Sequence, residues 1–289
     1  MKLQFTKMHS LGNDFIVIDN RPAKLRNLPK LARYLCNRRF GVGADQMLLL
    51  CSSSVADYKM RIMNADGSEV EMCGNGIRCF GKFIWESAVS NQQSAISRTI
   101  NDTNKKLSIE TLGGIKHLRK IGELVEVDMG EPIFDPAQIP LKVSSKSGDI
   151  IINYPLKVKD KTLKITCVSM GNPHAVIFVK DVQAVALQKY GPLIEHHRIF
   201  PRRINVEFIQ VLNKSNIKMR VWERGAGETL ACGTGASASA VASILHGLTG
   251  RKITVHLPGG KLIINWAAKD NHVYMTGDAV KVFEGEVEI

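Results

Sequence analysis

The sequence predicts an α/β fold of two homologous halves related by a pseudo-two-fold, each half a mixed β-sheet wrapped around a central helix. Three observations predict it. The chain has 289 residues, room for two domains at roughly 150 residues each. Two blocks recur in one register: Gly12-Asn13-Asp14-Phe15 returns in outline as Gly171-Asn172-Pro173-His174, and Cys73-Gly74-Asn75-Gly76 as Cys232-Gly233-Thr234-Gly235, both 159 positions on. The same offset carries Gln46 onto Asn205, Asn64 onto Glu223 and Glu69 onto Glu228. Finally, both halves present strand-like runs followed by one apolar helix after the Cys-Gly-x-Gly turn.

Taken in order, QFTKMHS, FIVID, QMLLL and YKMRIM in the first half read as strands, β-branched or alternating in apolar residues. Their counterparts are KITCVSM, AVIFV, VEFIQV and IKMRVW. GIRCFGKFIWESAV (76–89) and ASASAVASILHG (236–247) are apolar on most faces, so each is expected at the centre of its half. Asn91 to Lys106 reads as a polar loop or insertion, and MGEPIFDPAQIP (129–140) as the hinge. The expected domains are 1–130 and 131–277, with the alternating terminal run, about 278–289, returning to the first half.

Composition excludes several classes. Apolar residues at 44% and charged residues at 23% describe a globular chain. No apolar run reaches the ~18 residues of a membrane helix, and MKLQFTKMHS lacks the core of a signal peptide, so a cytoplasmic protein without membrane contact is expected. The formal charge of +12 could attract phosphate, but the one dense basic stretch, 26–39, lacks a base-reading pattern, and no nucleic-acid partner is expected. The six cysteines show no CxxC spacing; reduced thiols are expected, with no metal site and no cofactor.

Two of those thiols differ from the rest. Cys73 and Cys232 precede Gly-x-Gly at the same place in the repeat, beside a helix N-terminus whose free N–H groups and dipole favour the thiolate. Cys36, Cys51, Cys79 and Cys167 read as small buried hydrophobes. If the halves face each other, the two thiols look across one cleft, with the N–H groups of Gly74, Asn75, Gly233 and Thr234 converging there. Such a pair suits inversion at an acidic C–H: one group removes the proton from one face and the other supplies one to the opposite face, while the helix N-termini hold an adjacent carboxylate. Lowering a thiol pKa from about 8.5 to about 6.5 takes about 2.7 kcal/mol. A helix terminus supplies about 0.3–1, or about 2 when partly buried. Further partners are therefore expected, and His174 and Glu223 are the candidates.

Together NADGSEVEMCGNGIRC (64–79), ERGAGETLACGTGASA (223–238), GNDF, GVGADQ and GNPH make the whole chain resemble the diaminopimelate epimerases. The resemblance implies interconversion of LL- and meso-diaminopimelate, without a cofactor, by a two-base mechanism. It implies Cys73 and Cys232 as the acid/base pair, His174 and Glu223 as groups tuning them, and a homodimer. It further implies substrate contacts from Asn13, Gln46, Asn64, Gly74, Asn75, Asn172, Asn205, Glu223, Arg224, Gly233 and Thr234. Arg224 suits the distant carboxylate of a substrate with an amino-acid group at each end. Ser10 and Phe283 depart from the family pattern, Ser10 standing where many relatives have glycine, and neither is expected to touch the chemistry. Rival readings are a proline-racemase-like or methylaconitate-type two-cysteine isomerase, and a thiol-redox or basic nucleic-acid-binding module.

Overall fold

The computed structural model describes residues 2–90, 106–143 and 149–289. Two compact units divide the chain, Met1–Val127 with Thr276–Ile289, and Asp128–Met275. The polar stretch read as an insertion, 91–105, lies outside the described residues.

The first unit is built on β1 (Lys2–Ser10), β2 (Asn13–Asp19), β3 (Gln46–Cys51), β4 (Tyr58–Asn64), β5 (Lys106–Thr111), β6 (Gly114–Ile121) and β7 (Leu124–Asp128). β2 pairs antiparallel to β1 and parallel to β3, β4 antiparallel to β3 and parallel to β5, and β6 antiparallel to β5 and β7. A parallel pair needs a crossover. α1 (Asn20–Ala23) and α2 (Leu28–Leu35) lie in the first crossover, and α3 (Gly74–Ser90) in the second. α3 packs against β1, β2, β3 and β6. Its residues Ile77, Arg78, Cys79 and Phe80 are inaccessible to solvent.

The second unit repeats this plan. β8 (Tyr154–Val158), β9 (Lys161–Ser169), β10 (Pro173–Phe178), β11 (Asn205–Asn213), β12 (Asn216–Glu223), β13 (Gly227–Thr229), β14 (Lys252–Leu257) and β15 (Gly260–Trp266) carry α4 (Leu187–Glu195) and α5 (Gly233–Leu245) in the corresponding crossovers. β10 pairs antiparallel to β9 and parallel to β11, β12 antiparallel to β11 and parallel to β14, and β15 antiparallel to β14. Register repeats with the sequence: Phe15 faces Gln46 as His174 faces Asn205, and Met47 faces Met63 as Val206 faces Trp222. The repeated Gly-Asn block has a backbone cause, since Gly12 and Gly171 sit in the matching hairpin turns at φ 85° and 94°, where a side chain is strained.

Strands enclose α5, which packs against β9, β10, β11, β12, β14 and β15, and every residue from Ala236 to Ser243 is buried. Small side chains allow that approach. The hydroxyls are satisfied locally: Ser237 donates to Gly233 O at 3.0 Å and Ser243 to Ser239 O at 2.8 Å. The chain returns to the first unit through β16 (Val273–Gly277), and β17 (Val280–Glu288) pairs antiparallel with β1.

The structure adds detail to the sequence reading at three places. Both central helices start inside the Cys-Gly-x-Gly motif, at Gly74 and Gly233, so each cysteine immediately precedes the first helical residue. The segment expected as a hinge is tied into the second unit, with Met129 N–H donating to Val273 O and Ile133 N–H to Ser169 O, both at 2.9 Å. In the basic stretch 26–39, Leu28, Ala32 and Leu35 form the buried stripe of α2, whose first turn holds Pro29. Among the described residues no helix is long and apolar enough to cross a membrane.

Candidate active site

Each unit carries a matching cluster of candidate residues at one end of its strands. In the first, Asn13 and Gln46 open adjacent strands and Asn64 closes the next, opposite Gln46. Gln46 Nε2 donates to Asn64 Oδ1 at 2.8 Å, and Asn64 Nδ2 to Ser68 Oγ at 3.0 Å. Gln46 Oε1 is buried with no hydrogen-bond partner among the described residues.

Cys73 is half-buried at the start of α3; its Sγ accepts from the Gly76 N–H at 3.4 Å and its thiol donates to Asn13 Oδ1 at 3.6 Å. Asp45 fixes that amide by accepting from Asn13 Nδ2 at 2.8 Å, and is itself paired with Arg38 at 2.8 Å. Behind the motif, Arg78 is fully buried. It donates to Asn75 Oδ1 at 2.9 Å, Gly74 O at 3.0 Å, Asp278 O at 3.1 Å and Ser10 Oγ. Ser10 therefore bears on the motif at one remove, through Arg78.

The cluster of the second unit has the same plan with different chemistry. Asn172 immediately precedes β10, Asn205 opens β11, Glu223 closes β12 and Cys232 caps α5. Cys232 is in extended conformation, φ −128° and ψ 113°, and its Sγ accepts from Gly235 N–H at 3.4 Å and lies 3.5 Å from Thr234 Oγ1. Asn172 Nδ2 donates to Thr234 Oγ1 at 3.2 Å, and Asn172 Oδ1 lies 2.9 Å from His174 Nε2. His174 Nδ1 lies 2.7 Å from Glu207 Oε1, and both side chains are inaccessible to solvent. Asn205 serves the backbone: its Nδ2 donates to Pro173 O and its Oδ1 accepts from Arg224 N–H, both at 2.9 Å. Arg224 is exposed, its Nη1 donating to Arg202 O at 3.2 Å, and Glu223 Oε1 accepts from Thr229 Oγ1.

Electrostatics separate the cysteines into kinds. Burial pushes the Cys232 thiol well above its ordinary range, helped by the charges of Glu223 and Glu207 and opposed by the bonds from Thr234 and Gly235, so it rests as the thiol. Burial outweighs the helix N-terminus there. Cys36 is pushed up to about 12 by burial, and Cys79 and Cys167 rise further for the same reason, as expected of small hydrophobes. Burial also raises Glu207, against the pull of His174. His174 reaches Cys232 only through Asn172 and Thr234 in this chain of bonds, while Glu223 acts on it through charge. Among the described residues no three His, Cys, Asp or Glu side chains gather as metal ligands.

Sequence reasoning missed Glu207, Arg78 and Asp45. Glu207 carried a signal: at the repeat offset its partner is Leu48, and a carboxylate in the apolar run VEFIQV, two residues from Asn205, faces the same side of β11. The second glycine of each motif is also explained. A Cβ on Gly235 would lie 2.7 Å from Glu207 Oε1, and one on Gly76 3.3 Å from the Phe15 ring.

A duplicated mixed sheet in which each repeat encloses a cysteine-capped helix defines an epimerase-type fold class. The hydroxyproline epimerase structure from Agrobacterium vitis has this fold, with TM-score 0.67 at 14% identity over 99% of this chain and 92% of that one. The family profile described as Diaminopimelate epimerase matches residues 5–134 and 166–282. A diaminopimelate epimerase of Acetivibrio thermocellus is 49% identical over 292 residues, covering 99% of each chain. One from Picosynechococcus is 51% identical over 292 residues, covering 100% of each. The chain belongs to the diaminopimelate epimerase family.

Proposed function

We propose that the chain interconverts LL- and meso-diaminopimelate by proton transfer alone, with Cys73 and Cys232 as the two acid/base groups. The observation that carries the reading is the matched placement of these two thiols, each immediately before the central helix of its unit at equivalent positions in the repeat. Cys232, held as a thiol by burial, is the acid of the resting state. Cys73, half-buried beside the N-terminus of α3 with its thiol proton on Asn13 Oδ1, is the base that takes the α-proton once it has given up its own. Reversal exchanges the roles, and because each thiol holds one proton, the proton delivered is not the one removed.

The N–H groups of Gly74, Asn75, Gly233 and Thr234 support the reacting carboxylate, whose charge grows as the proton leaves. Gln46 Oε1, an acceptor without a partner among the described residues, receives an ammonium. Asn13, Asn64, Asn172 and Glu223 complete the polar lining, Asn205 holds the loop of Arg224, and the exposed Arg224 meets the distant carboxylate through its fork. The reading includes a cytoplasmic homodimer, for which Val282 and Phe283, exposed on β17, offer apolar surface. Sedimentation and cell fractionation test that part. The activity is tested by following LL-diaminopimelate and proline separately. Turnover of diaminopimelate that Cys73→Ser or Cys232→Ser each reduces at least about 100-fold supports it; turnover of proline alone, or near-normal rates in either variant, rejects it.

A further inference from the structure

We propose that Glu207 is a positioning residue for Cys232, acting through His174, Asn172 and Thr234; the inference rests on the epimerase reading above. Within the second unit these side chains form an unbroken chain of contacts at 2.7, 2.9, 3.2 and 3.5 Å, from Glu207 Oε1 to Cys232 Sγ. The duplicated half has Leu48 and Phe15 at the positions of Glu207 and His174, so this arrangement belongs to the second cysteine alone. Burying a carboxyl group whose Oε2 has no partner among the described residues is unfavourable, and a purely apolar core position does not call for it.

Proton accounting gives the chain a direction. His174 presents Nε2 to the oxygen of Asn172, so Nε2 carries a proton. One further proton lies between Nδ1 and Glu207 Oε1, on one atom or the other. With both in place, His174 donates to Asn172, Asn172 to Thr234, and the Thr234 hydroxyl is free to donate to Cys232 Sγ. Every donor then points toward the sulfur, which stabilises the thiolate needed when Cys232 acts as base.

Loss of the shared proton reverses the chain. The remaining proton moves to Nδ1 to face the carboxylate, Nε2 is left bare, and the Asn172 amide turns to donate to it. Thr234 then donates to Asn172 and offers Cys232 only a lone pair, which suits the thiol. The titratable groups facing the pair from packed elements are Cys167 on β9, Glu223 on β12 and Cys232 at the start of α5. Glu195 on α4 is turned to the Trp222 indole and the Gly225 N–H.

Glu207→Gln and Glu207→Leu test the proposal, the first preserving volume and the second copying the other half. Both remove the shared ionisation. In each, kcat for diaminopimelate falls about 10- to 100-fold near neutral pH, the worth of one charge-assisted hydrogen bond, while KM changes less. Because the equilibrium constant is unaltered, kcat/KM falls equally in both directions. The wild-type-to-variant ratio then changes with pH, declining where the unmutated protein loses the shared proton. A ratio independent of pH, or wild-type rates in a variant that melts cooperatively, overturns the proposal. So does nitrogen NMR of the unmutated protein that finds His174 Nε2 bare at neutral pH. Absence of diaminopimelate turnover by the wild type, measured alongside, overturns the functional reading instead.

Discussion

Replacing Arg78 with lysine keeps the charge and removes the fork. The buried guanidinium uses Nε, Nη1 and Nη2 to reach four acceptors: Asn75 Oδ1, Ser10 Oγ and the carbonyls of Gly74 and Asp278. An ammonium has three protons on one nitrogen and cannot stand within hydrogen-bond distance of acceptors spread around a planar fork. At least one acceptor loses its donor, and a buried unsatisfied group costs about 1–3 kcal/mol. The substitution therefore destabilises by about 1–3 kcal/mol, and at about 2–4 °C per kcal/mol it lowers Tm by about 3–10 °C. Asn75 also loses the bond to its Oδ1, and KM for diaminopimelate is expected to rise. Thermal denaturation and steady-state kinetics read both effects. An Arg78→Lys protein melting within about 2 °C of wild type, with unchanged KM, would refute the reasoning.

Two further outcomes follow from the same geometry. Gly235→Ala places a Cβ 2.7 Å from Glu207 Oε1 and 3.3 Å from Cys232 Sγ, in a core that cannot yield freely. It is expected to cost about 1–3 kcal/mol and to lower kcat; a variant with wild-type Tm and kcat contradicts the packing described. For Asp14, burial alone raises the carboxyl pKa, but Arg38 and Lys7 outweigh it and hold the group well below the usual carboxylate range. A depressed folded pKa contributes stability above the unfolded value near 3.9, lost as pH falls through the folded value. The Tm advantage of wild type over Asp14→Asn should be constant from about pH 7 to about pH 5 and shrink below about pH 4. A gap unchanged down to about pH 3 contradicts it.

Much of the fold was legible because its signals are local and repeated. Runs such as FIVID and VEFIQV carry strand chemistry, and the offset that links Cys73 to Cys232 reappears as sheet register, Phe15 on Gln46 and His174 on Asn205. α2 was hidden by its basic exterior, and its buried stripe of Leu28, Ala32 and Leu35 emerges only once periodicity is weighed above charge. α4 is obscured by Pro192 within it. At the site, residues inside the repeated four-residue blocks could be named, whereas Arg78 and Glu207 stand beside apolar residues in the sequence and meet their polar partners only in the fold. Their roles depend on which acceptors the fold brings within about 3 Å. The same holds for Cys232: its sequence position advertises the helix N-terminus, but burial, which dominates, is a tertiary property.

The most direct test of two thiols acting as separate acid and base is the fate of the α-proton in deuterium oxide. With LL-diaminopimelate and wild-type protein at low conversion, product inverted at the reacting carbon should carry one solvent deuterium there, while recovered substrate stays largely unlabelled. Label entering recovered substrate as fast as product, or product retaining its original proton, would contradict the account.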